Sequence, residues 1–300
     1  MRLEQQSILV ADGLRLPYVA QGDPAGIPVV LLHAYVDSWR SFEPVLAHLP
    51  HSIRALVPTQ RGHGDADKPT FGYALEQMAA DAAAFLHAVE LDAAVIVGSS
   101  SGGYVAQRFA VDFPQLTRAL VLIGSPRSLR DKPAILDAVF ALEDPVDRAF
   151  VREFVAATAS RSVPPQFLDA MCDESCKVPA HVWKAALRGL TEAMPPSEGG
   201  AIGVPTLIVW GDQDQFLSRG DQERLAASIP RSRFVVYEGV GHIVHWEQPE
   251  RVAVDIEHRR RDDPRRLAVR RSRRRDNHNR SDRQRQQDRP KTDNGDATTS

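Results

Sequence analysis

Short apolar runs recur along this sequence, and each is followed by a longer stretch with apolar residues at helical spacing. Val29-Val30-Leu31-Leu32, Ala94-Val95-Ile96-Val97, Leu120-Val121-Leu122-Ile123 and Thr206-Leu207-Ile208-Val209 each read as a strand buried on both faces. Phe234–Tyr237 makes a fifth, and Ile53–Val57 a less apolar sixth. Between them, Leu75–Glu90 carries Met78, Ala79, Ala82, Phe85, Leu86 and Val89 on one helical face. Gly103–Phe113 and Gln222–Ser228 read as further helices. Parallel strands need long crossovers, so this alternation predicts an α/β fold: a mostly parallel central sheet with helices on both faces. Ser7–Val10 and Leu14–Val19, separated by Ala11-Asp12-Gly13, predict a hairpin leading into the sheet.

One interval breaks the rhythm. Between Pro126 and Val204 there is no strand pattern, only helical ones at Ile135–Leu142, Arg148–Thr158, Gln166–Cys172 and Val182–Met194. Pro164-Pro165 and Pro195-Pro196 punctuate them. Helices inserted after one strand predict a cap over the C-terminal edge of the sheet, where open α/β sheets bind ligands. The expected organisation is a core in two parts, 1–126 and 200–258, a helical cap at 127–199, and a tail at 259–300. That tail holds fourteen arginines and one lysine against seven aspartates, a net of +8, which leaves residues 1–258 at −10. Its few apolar residues bury too little surface to offset ordering entropy, so it is expected to be disordered.

Composition excludes several classes. Apolar residues are 43% and charged residues 25% of the 300, as in a globular domain. The longest apolar runs, such as Ile27–Leu32, fall far short of the roughly twenty residues of a membrane-spanning helix. Met1–Gln6 has no apolar core like a signal peptide's. Two cysteines, Cys172 and Cys176, build no disulfide scaffold and predict a reducing, cytoplasmic setting. No second pair completes a metal site with them, and none is expected.

Val97-Gly98-Ser99-Ser100-Ser101-Gly102-Gly103 lies between a strand and a helix and fits G-x-S-x-G centred on Ser100. Small residues are needed two before and two after the serine because the chain turns sharply there. Ser100 is then presented at a helix N-terminus, whose positive potential favours a developing anion. A serine nucleophile needs a base to take its proton and an acid to orient that base. Gly211-Asp212-Gln213-Asp214 follows the strand Thr206–Trp210, and Gly239-Val240-Gly241-His242 follows Phe234–Tyr237. Three candidates that each follow a strand converge on one edge of a parallel sheet. The spacing leaves the acid open between Asp212 and Asp214.

These segments together resemble the α/β-hydrolase superfamily over nearly all of 1–258. Leu32-His33-Ala34-Tyr35 is similar to its H-G-x oxyanion loop, with Ala34 where glycine is usual. Arg61–Pro69 is similar to its R-G-H-G-x-S-x-x-P loop, with Thr59 where an aspartate is common. The resemblance implies a triad of Ser100, Asp214 and His242, with the backbone N–H groups of Ser101 and Tyr35 as oxyanion donors. Trp39 and Phe42, near that loop, are candidate pocket residues. His33 and His63 read as structural hydrogen-bonding residues at loop bases, and His245 as a packed or partly exposed residue at a helix start. No metal and no organic cofactor is implied, since triad and oxyanion hole suffice.

A serine at the elbow leads to hydrolysis of an ester, thioester or lactone of a small-molecule substrate, and sets aside relatives that use aspartate there. Asp37-Ser38-Trp39 is nonetheless reminiscent of those relatives. Three alternatives stay open: C–C cleavage of a vinylogous diketone acid with Arg188 holding its carboxylate, perhydrolysis, and a receptor without turnover. A nucleic-acid partner would rest on the basic tail alone, which lacks stacking aromatics and is interspersed with aspartates.

Overall fold

The computed structural model describes residues 3–10, 13–130 and 136–261, all within one compact unit, Met1–Asp262. Its centre is an eight-stranded sheet in the order β1-β2-β4-β3-β5-β6-β7-β8. The strands are β1 (Gln5–Leu9), β2 (Arg15–Gln21), β3 (Ile27–Leu32), β4 (Ile53–Pro58), β5 (Ala94–Ser99), β6 (Thr117–Ile123), β7 (Thr206–Gly211) and β8 (Ser232–Tyr237). The expected hairpin is β1 paired antiparallel with β2, and β2 is antiparallel to β4; every other pairing is parallel. This is the α/β-hydrolase fold expected from the sequence.

Period two decides which face each strand residue serves. Val30, Leu32, Ile96, Leu120, Leu122 and Ile208 belong to one core; Val29, Leu31, Val95, Val97, Val121, Ile123 and Val209 belong to the other. Every residue of β3, β5 and β7 is buried, so these strands are covered on both faces. Each Val or Leu so buried contributes roughly 1.5–3 kcal/mol. β8, at the sheet's edge, is only half-covered.

Among the helices, α1 (Glu43–Leu46), α2 (Leu75–Ala88) and α3 (Ser101–Asp112) lie in the first half. Between β6 and β7 come α4 (Leu136–Phe140), α5 (Arg148–Ala156), α6 (Pro165–Cys176), α7 (Ala180–Glu192) and α8 (Pro196–Gly199). Prolines open α6 and α8, where the missing N–H costs nothing. α9 (Arg219–Ser228), α10 (Val244–Glu247) and α11 (Pro249–Arg261) complete the chain described. In α11 Val252, Ala253 and Ile256 face the core, whereas Val254 is turned to solvent. The expected disordered tail lies outside the described residues, apart from Arg259–Arg261, whose backbone continues α11. No helix among the described residues is long and apolar enough to cross a membrane.

Trp183 on α7 ties the inserted helices to the loop after β3. It is fully buried, and its ring meets those of Tyr35, Phe150 and Phe154 edge-on, with centroids 5.3–5.8 Å apart. The Tyr35 hydroxyl donates to the Trp183 carbonyl at 2.6 Å. Aromatic pairs of this geometry add about 0.5–1.5 kcal/mol beyond their buried area.

Candidate active site

The parallel register brings the carboxyl ends of five strands to one edge. Leu32 pairs with Gly98, Ser99 with Ile123, Ile123 with Val209, and Gly211 with Tyr237. Each residue that follows these ends therefore opens onto the same crevice.

Ser100 is the residue between β5 and α3. Its backbone takes φ 48° and ψ −117°, a strained conformation for a side-chain-bearing residue, and its N–H is anchored to the Ile123 carbonyl at 2.8 Å. The flanking glycines explain why the turn closes. A Cβ on Gly98 would lie 2.3 Å from the Gly102 carbonyl oxygen, which no side chain tolerates. α3 starts at Ser101, two residues earlier than its apolar pattern implies, because Ser100 itself occupies the cap position.

The Ser100 hydroxyl lies 2.8 Å from His242 Nε2, and His242 Nδ1 lies 2.8 Å from Asp214 Oδ2. A carboxylate only accepts, so Nδ1–H donates to Asp214 and Nε2 is left to accept from Ser100. Asp214 is held in turn, since its Oδ1 accepts from the Phe216 and Leu217 N–H groups at 2.8 and 3.0 Å. Asp212 does a different job: its carboxylate accepts from the Gly239 N–H at 2.6 Å and braces the loop that carries His242. The His242 N–H donates to the Thr158 carbonyl at 3.1 Å, and the Phe216 ring packs against the imidazole at 5.1 Å.

A cavity of about 150 Å³ opens above Ser100. Its wall is apolar, built from Leu129, Phe154, Val155, Leu187, Leu190, Phe216, Ile243 and Trp246, with Tyr35 and Ser101 on its border. The Tyr35 and Ser101 amides make no hydrogen bond among the described residues and are free to donate. His33 orients this loop: its Nδ1–H donates to the Ala34 carbonyl at 2.8 Å while Nε2 accepts from the Gln60 N–H at 2.9 Å. Burial and the neighbouring His63 hold His33 well below the ordinary imidazole pKa, so it stays neutral. Alanine at position 34 still supplies that carbonyl. Thr59 accepts from the Trp39 N–H at 3.2 Å, bracing the following turn.

Trp39 and Phe42 do not line this cavity. The Trp39 indole N–H donates to Gln5, and the ring packs in the core on the sheet's other face. Phe42, fully buried in the same core, packs on His245 at 4.8 Å. The short helical turn at Trp39–Phe42 rotates both rings away from the crevice. Arg188 is exposed and lies over the Phe140 ring; it is no part of the cavity wall, which has no Arg or Lys among the described residues. His245 is buried and neutral, its pKa lowered to about 3 by burial and by the nearby His242.

Sequence reasoning missed the apolar wall residues and one polar one, Asp37. Asp37 lines the wall beside Ser100 and His242, and burial raises its carboxyl to about 7. The only signal was its place in Asp37-Ser38-Trp39, just after the loop that carries Tyr35. Among the described residues no group of His, Cys, Asp or Glu is arranged to hold a metal ion.

Known proteins resemble the chain along this whole fold. A sequence model of the Alpha/beta hydrolase family matches residues 29–256. The 2-hydroxy-6-oxo-2,4-heptadienoate hydrolase of Pseudomonas putida is 31% identical over 75% of this chain and 85% of its own. A thermophilic esterase from Thermogutta terrifontis superposes with a TM-score of 0.74 at 26% identity, covering 86% of this chain and 98% of that one. An esterase from Exiguobacterium antarcticum gives 0.77 at 22% identity, covering 85% and 98%. With the family model spanning both halves of the sheet and the elbow between them, the chain belongs to the alpha/beta hydrolase family.

Proposed function

We propose that this hydrolase cleaves a carboxylic ester, thioester or lactone of a small, uncharged molecule through an acyl-enzyme. The observation that carries the reading is the unbroken hydrogen-bonded chain from Ser100 through His242 to Asp214 at the floor of an apolar cavity. Ser100 Oγ attacks the carbonyl carbon as its proton passes to His242 Nε2. The oxyanion is received by the Tyr35 and Ser101 N–H groups, and the imidazolium is stabilised by Asp214. Collapse expels the alcohol with the proton from His242. Water then attacks the acyl carbon, gives its proton to His242, and the acid leaves as Ser100 is restored. In this reading the inserted helices, within 127–199, cap the cavity and select the substrate. A cytoplasmic setting belongs to it too, resting on the unpaired thiols Cys172 and Cys176.

A panel of p-nitrophenyl esters from acetate to decanoate, run on wild type and Ser100→Ala, tests this. Multiple turnovers that vanish with Ser100→Ala support the reading, and equal activity in both overturns it.

A second reading is C–C bond hydrolysis of a vinylogous diketone acid, favoured by the 31% identity with the Pseudomonas putida enzyme. Against it stands the wall itself, which offers no cationic side chain among the described residues for such an acid. Turnover of 2-hydroxy-6-oxo-2,4-heptadienoate in preference to every ester would reverse the ranking.

A further inference from the structure

Asp37 is a buried carboxyl in an apolar cavity, and the hydrolytic steps above make no use of it. Its backbone is set by Val36, whose φ of 59° is an outlier for a β-branched residue. That conformation leaves both Tyr35 and Asp37, on either side of Val36, lining the cavity. The carboxyl is also held from behind. Oδ2 accepts from the Ser41 hydroxyl at 2.8 Å. Ser41 Oγ in turn accepts from the Trp246 indole N–H at 3.0 Å and lies 3.0 Å from His245 Nε2. An indole N–H only donates, and the single Ser41 proton is committed to Asp37, so His245 Nε2 carries the hydrogen. Nδ1 is then free to accept from the Ser99 hydroxyl at 3.4 Å. Within this cluster Asp37 Oδ1 has no protein partner among the described residues.

An unpaired polar atom in an apolar wall is costly, and a ligand that completes it is favoured over an isostere that cannot. We propose that Asp37 is a specificity-determining residue that binds a hydroxyl group of the substrate, so that hydroxylated esters are preferred over their methyl isosteres. This rests on the ester reading above. A hydroxyl suits the site because it donates to the carboxylate and equally accepts from the acid, and the Asp37 carboxyl sits near 7. An ammonium group would pair with the ionised form only.

The test compares isosteric pairs by pH-stat: ethyl lactate against ethyl isobutyrate, ethyl β-hydroxybutyrate against ethyl isovalerate, and hydroxyethyl butyrate against propyl butyrate. Wild type is expected to favour the hydroxylated member of at least one pair by roughly tenfold or more in kcat/KM. Asp37→Ala is expected to remove that ratio, and Asp37→Asn, which keeps the shape and both bonding roles, to retain part of it. Reading the ratio within one variant cancels any loss of folded enzyme. Turnover without preference, or a preference that survives Asp37→Ala, overturns the assignment while leaving the ester reading intact. A larger preference for ethyl β-aminobutyrate overturns it in favour of a cation. No turnover of any ester overturns both.

Discussion

Gly102 approaches the end of β3 so closely that a Cβ on it would sit 2.3 Å from the His33 carbonyl oxygen. Both partners are backbone, so neither swings aside. Gly102→Ala must push α3 away from β3 or distort the loop that carries Tyr35. The expected result is a loss of about 1–3 kcal/mol in urea unfolding. Hydrolytic turnover should fall further than stability, because the Ser101 and Tyr35 N–H groups move apart. Unchanged stability in Gly102→Ala would show that the elbow is not as tightly packed as the contact distance requires.

Much of this arrangement was legible because its causes are local. Strand positions follow from runs such as Val95-Ile96-Val97, and the elbow follows from two glycines flanking Ser100, which the turn itself demands. Placement after parallel strands singles out Ser100 and His242, whereas only the family resemblance picks Asp214, because Asp212 follows the same strand. The aromatic residues were not legible in that way. Trp39, Phe42 and Asp37 stand close together in the chain, and nearness to the Tyr35 loop suggests the rings as pocket residues. Which of them faces the cavity depends on the Val36 backbone and the helical turn after Ser38, and neither carries a periodic signal. The ring of Phe216, which does line the cavity, is placed by the Asp214 carboxylate holding its N–H.

The two aspartates after β7 separate cleanly in their partners, and their variants should separate too. Asp214→Asn keeps the shape but presents an amide to His242, favouring the wrong tautomer for accepting the Ser100 proton. Turnover is expected to drop roughly 10³–10⁴-fold with little change in KM. Asp212→Asn should keep activity per folded molecule within a few-fold, since its contact is with the Gly239 N–H rather than the imidazole. Steady-state kinetics on both variants decides the matter, and equal losses would sink the assignment of the acid.

Trp183 is the joint between α7 and the loop bearing Tyr35. Trp183→Ala removes three ring contacts and leaves a cavity beside Phe154, at a cost of about 3–5 kcal/mol. Tyr35→Phe removes only the hydroxyl that reaches the Trp183 carbonyl, at a cost of about 1–2 kcal/mol. Thermal unfolding ranks the two. A Trp183→Ala protein as stable as wild type would mean the inserted helices are not held through this ring.

Asp37 should leave a pH signature in stability. Burial raises its pKa from 3.8 to about 7, against the bond from Ser41 and the nearby His242, which both favour the ionised form. Between these values the folded protein holds a proton that the unfolded chain has released, so stability falls as pH rises through the window. The cost is absent below about pH 4 and complete above about pH 7, reaching at most about 4 kcal/mol. His33, His63 and His245, all buried with lowered pKa, act in the opposite sense, losing stability as pH falls below the ordinary imidazole value. Comparing Asp37→Asn with wild type cancels those histidine contributions. The variant's advantage in denaturant midpoint is expected to grow from pH 5 and to level off above about pH 7. An advantage that is flat with pH would mean that Asp37 is ionised in the folded protein throughout that range.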